Sequence, residues 1–563
     1  MSNSSVSQLG LRFSEIPQNQ PVISAPVIQH PEQPDVPAYK VAILQPAPSP
    51  LPPTTLKSSS NTPAGSVLPT PRSEPTPAER ILTVQEVTTT FIKSLVQSAQ
   101  DFLGKVVDGA VISVPSWFDD KARTALESAA HDAGVKVLQL LDEASAGSLI
   151  SVTSPTDGLG PDRTALLVDL GQSSLTLSLL SFRHGLIYSL ASSNDSQVGG
   201  EQIDLKLLKF FAKEFTKKLK TPLQVCPAGN SADERAEAKL RLAIEHTKRT
   251  LSASPGAASC SVESLKDGFD FTGSVSRMRF DMEVRTVYEA VVRAAITLLE
   301  SIGYEPLHVD EIIYVGGSAS LPGLDETFFA KGFPESVITP FTAGTAIGGG
   351  PGDPTTILAR GCALQAKLLA EVPSNDIELL GAFERGSLHA CVHATAKSLG
   401  LILPSEQAEG AEAKENALGG TWVLGVPRET PLPYRRIVQL DCNLGSDDNA
   451  EKRIGFELWE VDESVQVEKV KSAPLVSEGD GSDEEDEEED EEIREKIITK
   501  HKQLHALTIA AKHARKEKGR WKTHVEVQFV VGNAGGIVLT VWETSSAGKG
   551  QPTTISVPPV SQS

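Results

Sequence analysis

Cysteine is scarce in this chain, with five in 563 residues, at Cys226, Cys260, Cys362, Cys391 and Cys442, and no C-x-x-C pair among them. That scatter argues against a disulfide framework or a zinc site and fits a reducing cytosol. Long apolar runs are missing too, since no stretch approaches the ~20 residues that cross a bilayer. The first seven residues have neither the basic start nor the apolar core of a secretory signal. With 22% charged and 39% hydrophobic residues, the composition is that of a soluble protein of about two to four domains. The net charge of −21 would repel nucleic acid if evenly spread. Ten consecutive acids at 483–492 carry about half of it, so the local picture differs.

What is present is organised around residues 166–180. An apolar run ends at Asp169 and Gly171, and beyond Ser174 the residues Leu175, Leu177 and Leu179 alternate with Thr176 and Ser178. Period two predicts a half-buried strand, so the stretch reads as a hairpin with an acid and a glycine at its tip. Such a tip can offer backbone N–H groups to a phosphate, though a plain hairpin has the same pattern. Residues 1–81 are rich in Pro, Ser, Thr and Gln, with 41–44 as their one apolar run, and are expected to be disordered. From Leu82 the apolar residues Val84, Val87, Phe91, Leu95 and Phe102 predict a helix. A strand at 110–114 ending at Pro115, a helix capped by Asp119 or Asp120 and ending at Gly134, and a strand at 135–141 follow. Helix alternating with strand indicates an α/β layer.

Several motifs then fall in register. VPSWFDD at 114–120, DEASAG at 142–147, VGGE at 198–201 followed by Asp204, LAIEHTKRTLS at 242–252 and VGGSASLP at 315–322 resemble the signatures of the heat shock protein 70 family, over about residues 82–370. The resemblance implies an actin-like nucleotide-binding domain, N-terminally incomplete, followed by an all-β sandwich. It implies ATP as cofactor, with the phosphate side at Asp169, Gly171, Gly199, Gly200 and Glu201. The adenosine side falls to Glu245, Lys248, Arg249 and Ser252, and the loop beside it to Gly316, Gly317 and Ser318. From the residues alone, Glu245, Lys248, Arg249 and Ser252 lie on one polar side of a helix and Ile203, Leu207, Phe211, Phe215 and Leu219 form an apolar stripe. A solvated ion pair and simple packing would account for both.

The family apparatus is only partly kept. The first phosphate loop and a catalytic lysine of the family have no counterpart in residues 1–81. In the second loop Gln172 and Ser173 stand for glycines, Ser174 for threonine and Thr176 for an aspartate. Asp169 and Glu143 remain, while Ser320 stands for an arginine and Ala144 for a proline. Hydrolysis depends on electrostatic stabilisation and on positioning the water. The expectation is therefore ATP bound but not turned over, with no catalytic residue, no metal ligand and no requirement for Mg. The sequence leaves open whether the Pro/Ser tract is the true start.

Residues 371–384 read as a diluted linker, and 385–476 with 523–545 as the β-sandwich, where VPRETPLP at 426–433 again resembles the family. Residues 477–522 read as an insertion and 546–563 as a tail, with no helical lid expected. Within the insertion an acidic block precedes a run, 494–522, with ten Lys or Arg against two Glu. Ile497, Ile498, Leu504, Leu507 and Ile509 there suggest a basic amphipathic helix that either folds back on the acids or touches ribosomal RNA. His501 and His505 are expected to face solvent. Within the family the combination resembles the atypical subunit of the fungal ribosome-associated complex. That resemblance implies a stable J-protein partner of the zuotin type, indirect association with cytoplasmic ribosomes, functional cooperation with a catalytic heat shock protein 70, possible contact with nascent chains, and no membrane or DNA. The alternatives are an ATP-hydrolysing chaperone or exchange factor, and a small-molecule kinase of the same superfold.

Overall fold

The computed structural model describes residues 8–16, 26–45, 76–150, 162–183, 186–373, 375–383, 393–404, 408–409, 414–416, 418–446, 451–471, 490–517, 519–545 and 548–559. They form two compact units, one of residues 1–159, 164–180 and 189–387, the other of residues 160–163, 181–188 and 388–563. The α/β part followed by an all-β part is the architecture expected from the motif order.

In the α/β part, strands β1 (Val27–Gln29), β2 (Pro37–Gln45) and β3 (Thr76–Thr83) form an antiparallel sheet, which corrects the expectation of disorder across 1–81. Its cause is the short alternation Tyr39, Val41, Ile43, which needs only a partner strand to pay off as pairing, and 76–83 supplies it. Helix α1 (Val84–Leu103) follows, opened by a capping box between Thr83 and Glu86 and closed by Gly104 at φ +64°. Strands β4 (Ala110–Val114) and β5 (Val137–Asp142) pair in parallel on either side of α2 (Asp120–Asp132). The α2 N-cap is Asp119, whose side chain accepts from the Ala122 N–H. Helix α3 (Glu143–Ser148) leaves β5 directly.

The next layer is a four-stranded sheet in the order β11, β6, β7, β8, built from β6 (Arg163–Leu170), β7 (Leu175–Arg183), β8 (Leu186–Asp195) and β11 (Glu311–Val315). Leu166, Val168, Leu170, Leu175, Leu177 and Leu179 are buried there against α4 (Gly200–Leu219). The predicted stripe Ile203, Leu207, Phe211 and Phe215 is wholly enclosed, each side chain contributing about 2–3 kcal/mol by burial. Helix α5 (Ser231–Ala253), the hairpin β9 (Ala257–Lys266) and β10 (Phe269–Ser276), α6 (Arg277–Glu300) and α7 (Pro322–Ala330) complete this core. Helix α8 (Ile357–Glu371) closes the part, and α9 (Ile377–Ala382) lies in the stretch expected to be a linker.

The β part has two sheets. One runs β14 (Lys414–Asn416), β15 (Gly420–Val426), β12 (Ser398–Leu403), β17 (Arg453–Lys471), β18 (Asp490–Ala510). The other runs β13 (Ala408–Glu409), β16 (Tyr434–Asn443), β20 (Arg520–Val531), β21 (Ile537–Ser545), β22 (Gly548–Lys549), with β19 (Arg515–Glu517) on β20 and β23 (Thr553–Val557) on β21. Leu401, Leu403, Val423, Phe456, Val527, Phe529 and Leu539 share their core.

Two expectations are corrected here. The basic amphipathic helix expected within 494–522 is instead strand: 494–510 pairs with β17, while 515–517 and 520–522 belong to β19 and β20. Register shifts at Leu458/Trp459 and Glu460/Val461 leave Leu504 and His501 as extra residues. A bulge changes which parity faces inward, so the apolar positions 498, 504, 507 and 509 imitate helical spacing. His501 is half exposed and its Nδ1 lies 3.0 Å from Asp462. The tail of 546–563 contains β22 and β23, because Ile555 and Val557 have β21 to pair with. The acidic block before residue 490 lies outside the described residues.

Candidate functional site

The site is built where β6 and β11 end and β7 begins. Parallel pairing sets Val315 opposite Asp169, so the turn 316–318 leaves its strand beside the hairpin tip. Gly316 has φ +92°, and a Cβ there would meet the Leu170 carbonyl at 2.5 Å and Asp169 Oδ1 at 3.0 Å. Only glycine fits that approach.

The tip also grips the start of α4. The Gly171 N–H donates to the Ser174 carbonyl across the turn, the Gly200 N–H to the Gly171 carbonyl at 2.9 Å, and the Glu201 N–H to the Gln172 carbonyl at 2.8 Å. Two of the helix's four orphan N–H groups are thereby used. Gly199 is extended, and a Cβ on it would meet the Gln172 carbonyl at 2.7 Å; one on Gly200 would meet Ser318 Oγ at 2.3 Å and Gln172 Oε1 at 2.9 Å. Asp169, Gly171, Gly199, Gly200, Gly316 and Ser318 are therefore brought together as the motif order implied. Glu201 joins through its backbone. Gly317 lies exposed beside them, with nothing within 4 Å of where a Cβ would stand.

The helical residues connect to this cluster through side chains that the sequence reading left out of the site. Gln172 Nε2 donates to Asp204 Oδ2 at 2.8 Å. Lys248 Nζ lies 2.7 Å from Asp204 Oδ1 and 3.0 Å from Glu245 Oε2. Arg249 Nε lies 3.0 Å from Glu245 Oε1. The Lys248 and Asp204 side chains are only 12% and 14% exposed, so the pair is largely desolvated. Burial pushes the Glu245 carboxyl up, but the Lys248 charge and the hydrogen bonds from Lys248 and Arg249 outweigh it and hold the group below its usual range. Ser252 does not join: its hydroxyl donates to the Arg249 carbonyl of its own helix. A glutamine at a hairpin tip, facing the acid one turn into the next helix, was the available signal.

Glu143, at the start of α3, stands with Asp169 as a partly buried acid pair. Burial, then the Asp169 charge, then the Asp142 charge raise the Glu143 carboxyl to about 7. Burial raises Asp169 to about 6. Near neutral pH the pair holds a proton part of the time. No group of three or more His, Cys, Asp or Glu suited to a metal ion occurs among the described residues.

The site divides in two: Gly317 faces open space and the Ser320 Oγ is buried without a hydrogen-bond partner, whereas the N–H groups at the α4 start and the Lys248 charge are already engaged by Gly171, Gln172 and Asp204.

Residues 74–382 match the family model described as Hsp70 protein. The chain is 33% identical over 413 residues, 73% of its length and 66% of the relative's, to a heat shock protein 70 homolog of Schizosaccharomyces pombe. It is 30% identical over 300 residues, 53% of each chain, to the ribosome-associated complex subunit SSZ1 of Saccharomyces cerevisiae. It is 28% identical over 361 residues, 63% of this chain and 49% of the relative's, to a heat shock 70 kDa protein of Neurospora crassa. The chain thus spans about half to two thirds of the length of these relatives. No helix among the described residues is long and apolar enough to cross a membrane.

Proposed function

The chain belongs to the Hsp70 family, and from that membership we propose that it is a non-catalytic co-chaperone, which holds a J-protein and supports the folding of nascent chains at the ribosome. The observation that carries the non-catalytic reading is the Gln172–Asp204–Lys248–Glu245 chain, because it satisfies internally the groups a reacting phosphate would need. ATP is then a structural ligand. Glu245, Lys248, Gly317 and Ser320 would hold its nucleoside end, and its hydrolysis is not used. The bound nucleotide would supply charge and hydrogen-bonding groups to these residues.

The partner reading draws on the similarity to SSZ1, named as a ribosome-associated complex subunit, and on the β part, which offers a dock for an extended segment of a zuotin-type J-protein. Ribosome association, cytoplasmic location and cooperation with a catalytic heat shock protein 70 follow from the same reading. The retained Glu143 and Asp169 favour one alternative, a slow ATPase. Purifying the chain with and without the J-protein and measuring co-elution, bound ATP and single-turnover hydrolysis together separates the two. Stoichiometric co-elution with bound, uncleaved ATP is the expected result. Hydrolysis by the isolated chain at ordinary chaperone rates would sink the non-catalytic reading, and absence of co-elution would sink the partner reading.

A further inference from the structure

A serine followed by a proline stands on the surface where α5 ends. Residues 253–257 are all exposed. Ser254 follows the last turn of α5 with an extended backbone, φ −137° and ψ 138°, and Pro255 comes next. A proline ring restricts the residue before it to that extended region, the form in which a protein kinase takes its substrate. Proline also has no N–H, so an apolar pocket can receive it without stranding a donor. The Ser254 hydroxyl accepts the Gly256 N–H at 3.3 Å. Elsewhere among the described residues the same step is less open. Thr76 opens strand β3, and the Thr221 hydroxyl donates to the Leu219 carbonyl at 3.4 Å. Thr339 and Thr430 are wholly buried.

Arg277 is bonded on both sides of Ser254. Its guanidinium donates to the Leu251 carbonyl, three residues before, and its backbone N–H to the Gly256 carbonyl, two residues after, at 3.1 Å. Arg277 also opens α6, a helix of 24 residues with no acid in its first turn. The positive end of that helix dipole thus lies at the same turn. The guanidinium is shared with Asp281, its Nε lying 3.0 Å from the carboxylate. A phosphate on Ser254 would carry about −1.5 to −2 charges at pH 7. The negative end of the α5 dipole opposes it, worth typically ~0.3–1 kcal/mol. Charge-assisted bonds from a guanidinium are roughly twice as strong as neutral ones, so Arg277 and the α6 start prevail.

We propose that Ser254 is a phosphorylation site for a proline-directed protein kinase, and that Arg277 at the start of α6 receives the phosphate. The step transfers the γ-phosphoryl group of ATP. A bond forms between the Ser254 Oγ and that phosphorus, the bond from the phosphorus to the ADP oxygen breaks, and the hydroxyl proton passes to the kinase's catalytic base. The site is independent of the nucleotide and J-protein readings, although α5 is the helix that carries Glu245 and Lys248.

The test incubates the full chain with a purified kinase of the mitogen-activated class and Mg-ATP, then locates phosphate by mass spectrometry of the tryptic peptide 250–266. The expected result is phosphate on Ser254, absent in Ser254→Ala and at least tenfold slower in Pro255→Ala, which keeps the serine. Phosphate on another residue of that peptide, or none in it, overturns the proposal. So does phosphorylation of a synthetic 248–262 peptide without phosphorylation of the folded chain, because the serine would then be inaccessible. The role of Arg277 is read from the phosphorus-31 signal that Ser254→Ala removes. The second phosphate ionisation, near pH 6 in the free state, should fall by about half a pH unit or more relative to the synthetic phosphopeptide. Arg277→Gln should abolish that fall. A titration identical in folded chain and peptide overturns the assignment of Arg277, and needs no variant to fold.

Discussion

Replacing Glu143 by glutamine tests the acid pair at the centre of the site. Its carboxyl is raised from 4.5 to about 7, first by burial and then by Asp169. A raised carboxyl binds its proton more tightly in the folded protein than in the unfolded chain. Folding is therefore favoured at low pH, and that stability is lost as pH rises from about 4.5 through about 7. The difference of about 2.5 pH units, at ~1.4 kcal/mol each, sets an upper figure of about 3.5 kcal/mol. Asp169, raised from 3.8 to about 6, adds a second loss over its own window, coupled to the first and not additive with it.

Glutamine keeps the shape and cannot ionise. At pH 5.5 Glu143 is largely protonated in the folded protein, and Glu143→Gln should differ from the unsubstituted chain mainly by the unfolded state's ionisation, by roughly 1 kcal/mol. At pH 8 it should be the more stable protein by about 2–3 kcal/mol. Urea unfolding of both proteins at the two pH values, followed by the fluorescence of the α/β part, measures this through the midpoint and slope. A gain equal at both pH values, or a loss at pH 8, refutes the reasoning. It would mean that Glu143 is ionised in the folded chain with a compensating partner. An ionised pair would be competent to hold a cation or orient water, and the case against turnover would weaken with it.

Lys248→Met should cost about 2–4 kcal/mol, because it strands two partly buried carboxylates. Gln172→Gly should cost about 1–2 kcal/mol, and the double variant less than their sum, since both hold Asp204; additive losses in urea titrations would dismiss the chain as a unit. Gly361→Ala should cost about 3 kcal/mol or more, because its Cβ would fall 1.8 Å from the Ala146 carbonyl where α8 meets α3; a melting temperature within a degree of the unsubstituted chain would count against this packing. Glu543→Ala should destabilise the β part by about 3 kcal/mol by orphaning three donors, read as a lowered midpoint for that unit alone.

Much of this molecule was legible because its core obeys simple periods. The strand at 110–114, the Asp119 cap, the Gly134 turn and the stripe from Ile203 to Phe215 all follow from local pattern, and packing agrees with it. What was not legible depended on partners distant in sequence. The strand 37–45 shows in sequence only as a short apolar run inside a tract rich in Pro and Ser, and it forms because 76–83 lies against it. The 494–510 segment spells a helix only because two bulges break its alternation.

The site divides along the same line. Glycines that the backbone needs, such as Gly316 and Gly200, are marked in sequence by geometry that no other residue tolerates. Gln172 could be seen as a substitution, but not as a tie. Its meaning depends on Asp204 and Lys248, 32 and 76 residues further along, arriving within hydrogen-bond reach. Glycine at that tip would leave Asp204 and Lys248 to each other and the phosphate side open. A glutamine there supplies its own donor, and the hairpin is held to α4 and α5 without help from a ligand. On the non-catalytic reading proposed above, loss of turnover would begin not with the acids, which stand here as Glu143 and Asp169, but with Gln172, whose own bond to Asp204 fixes the loop without a phosphate.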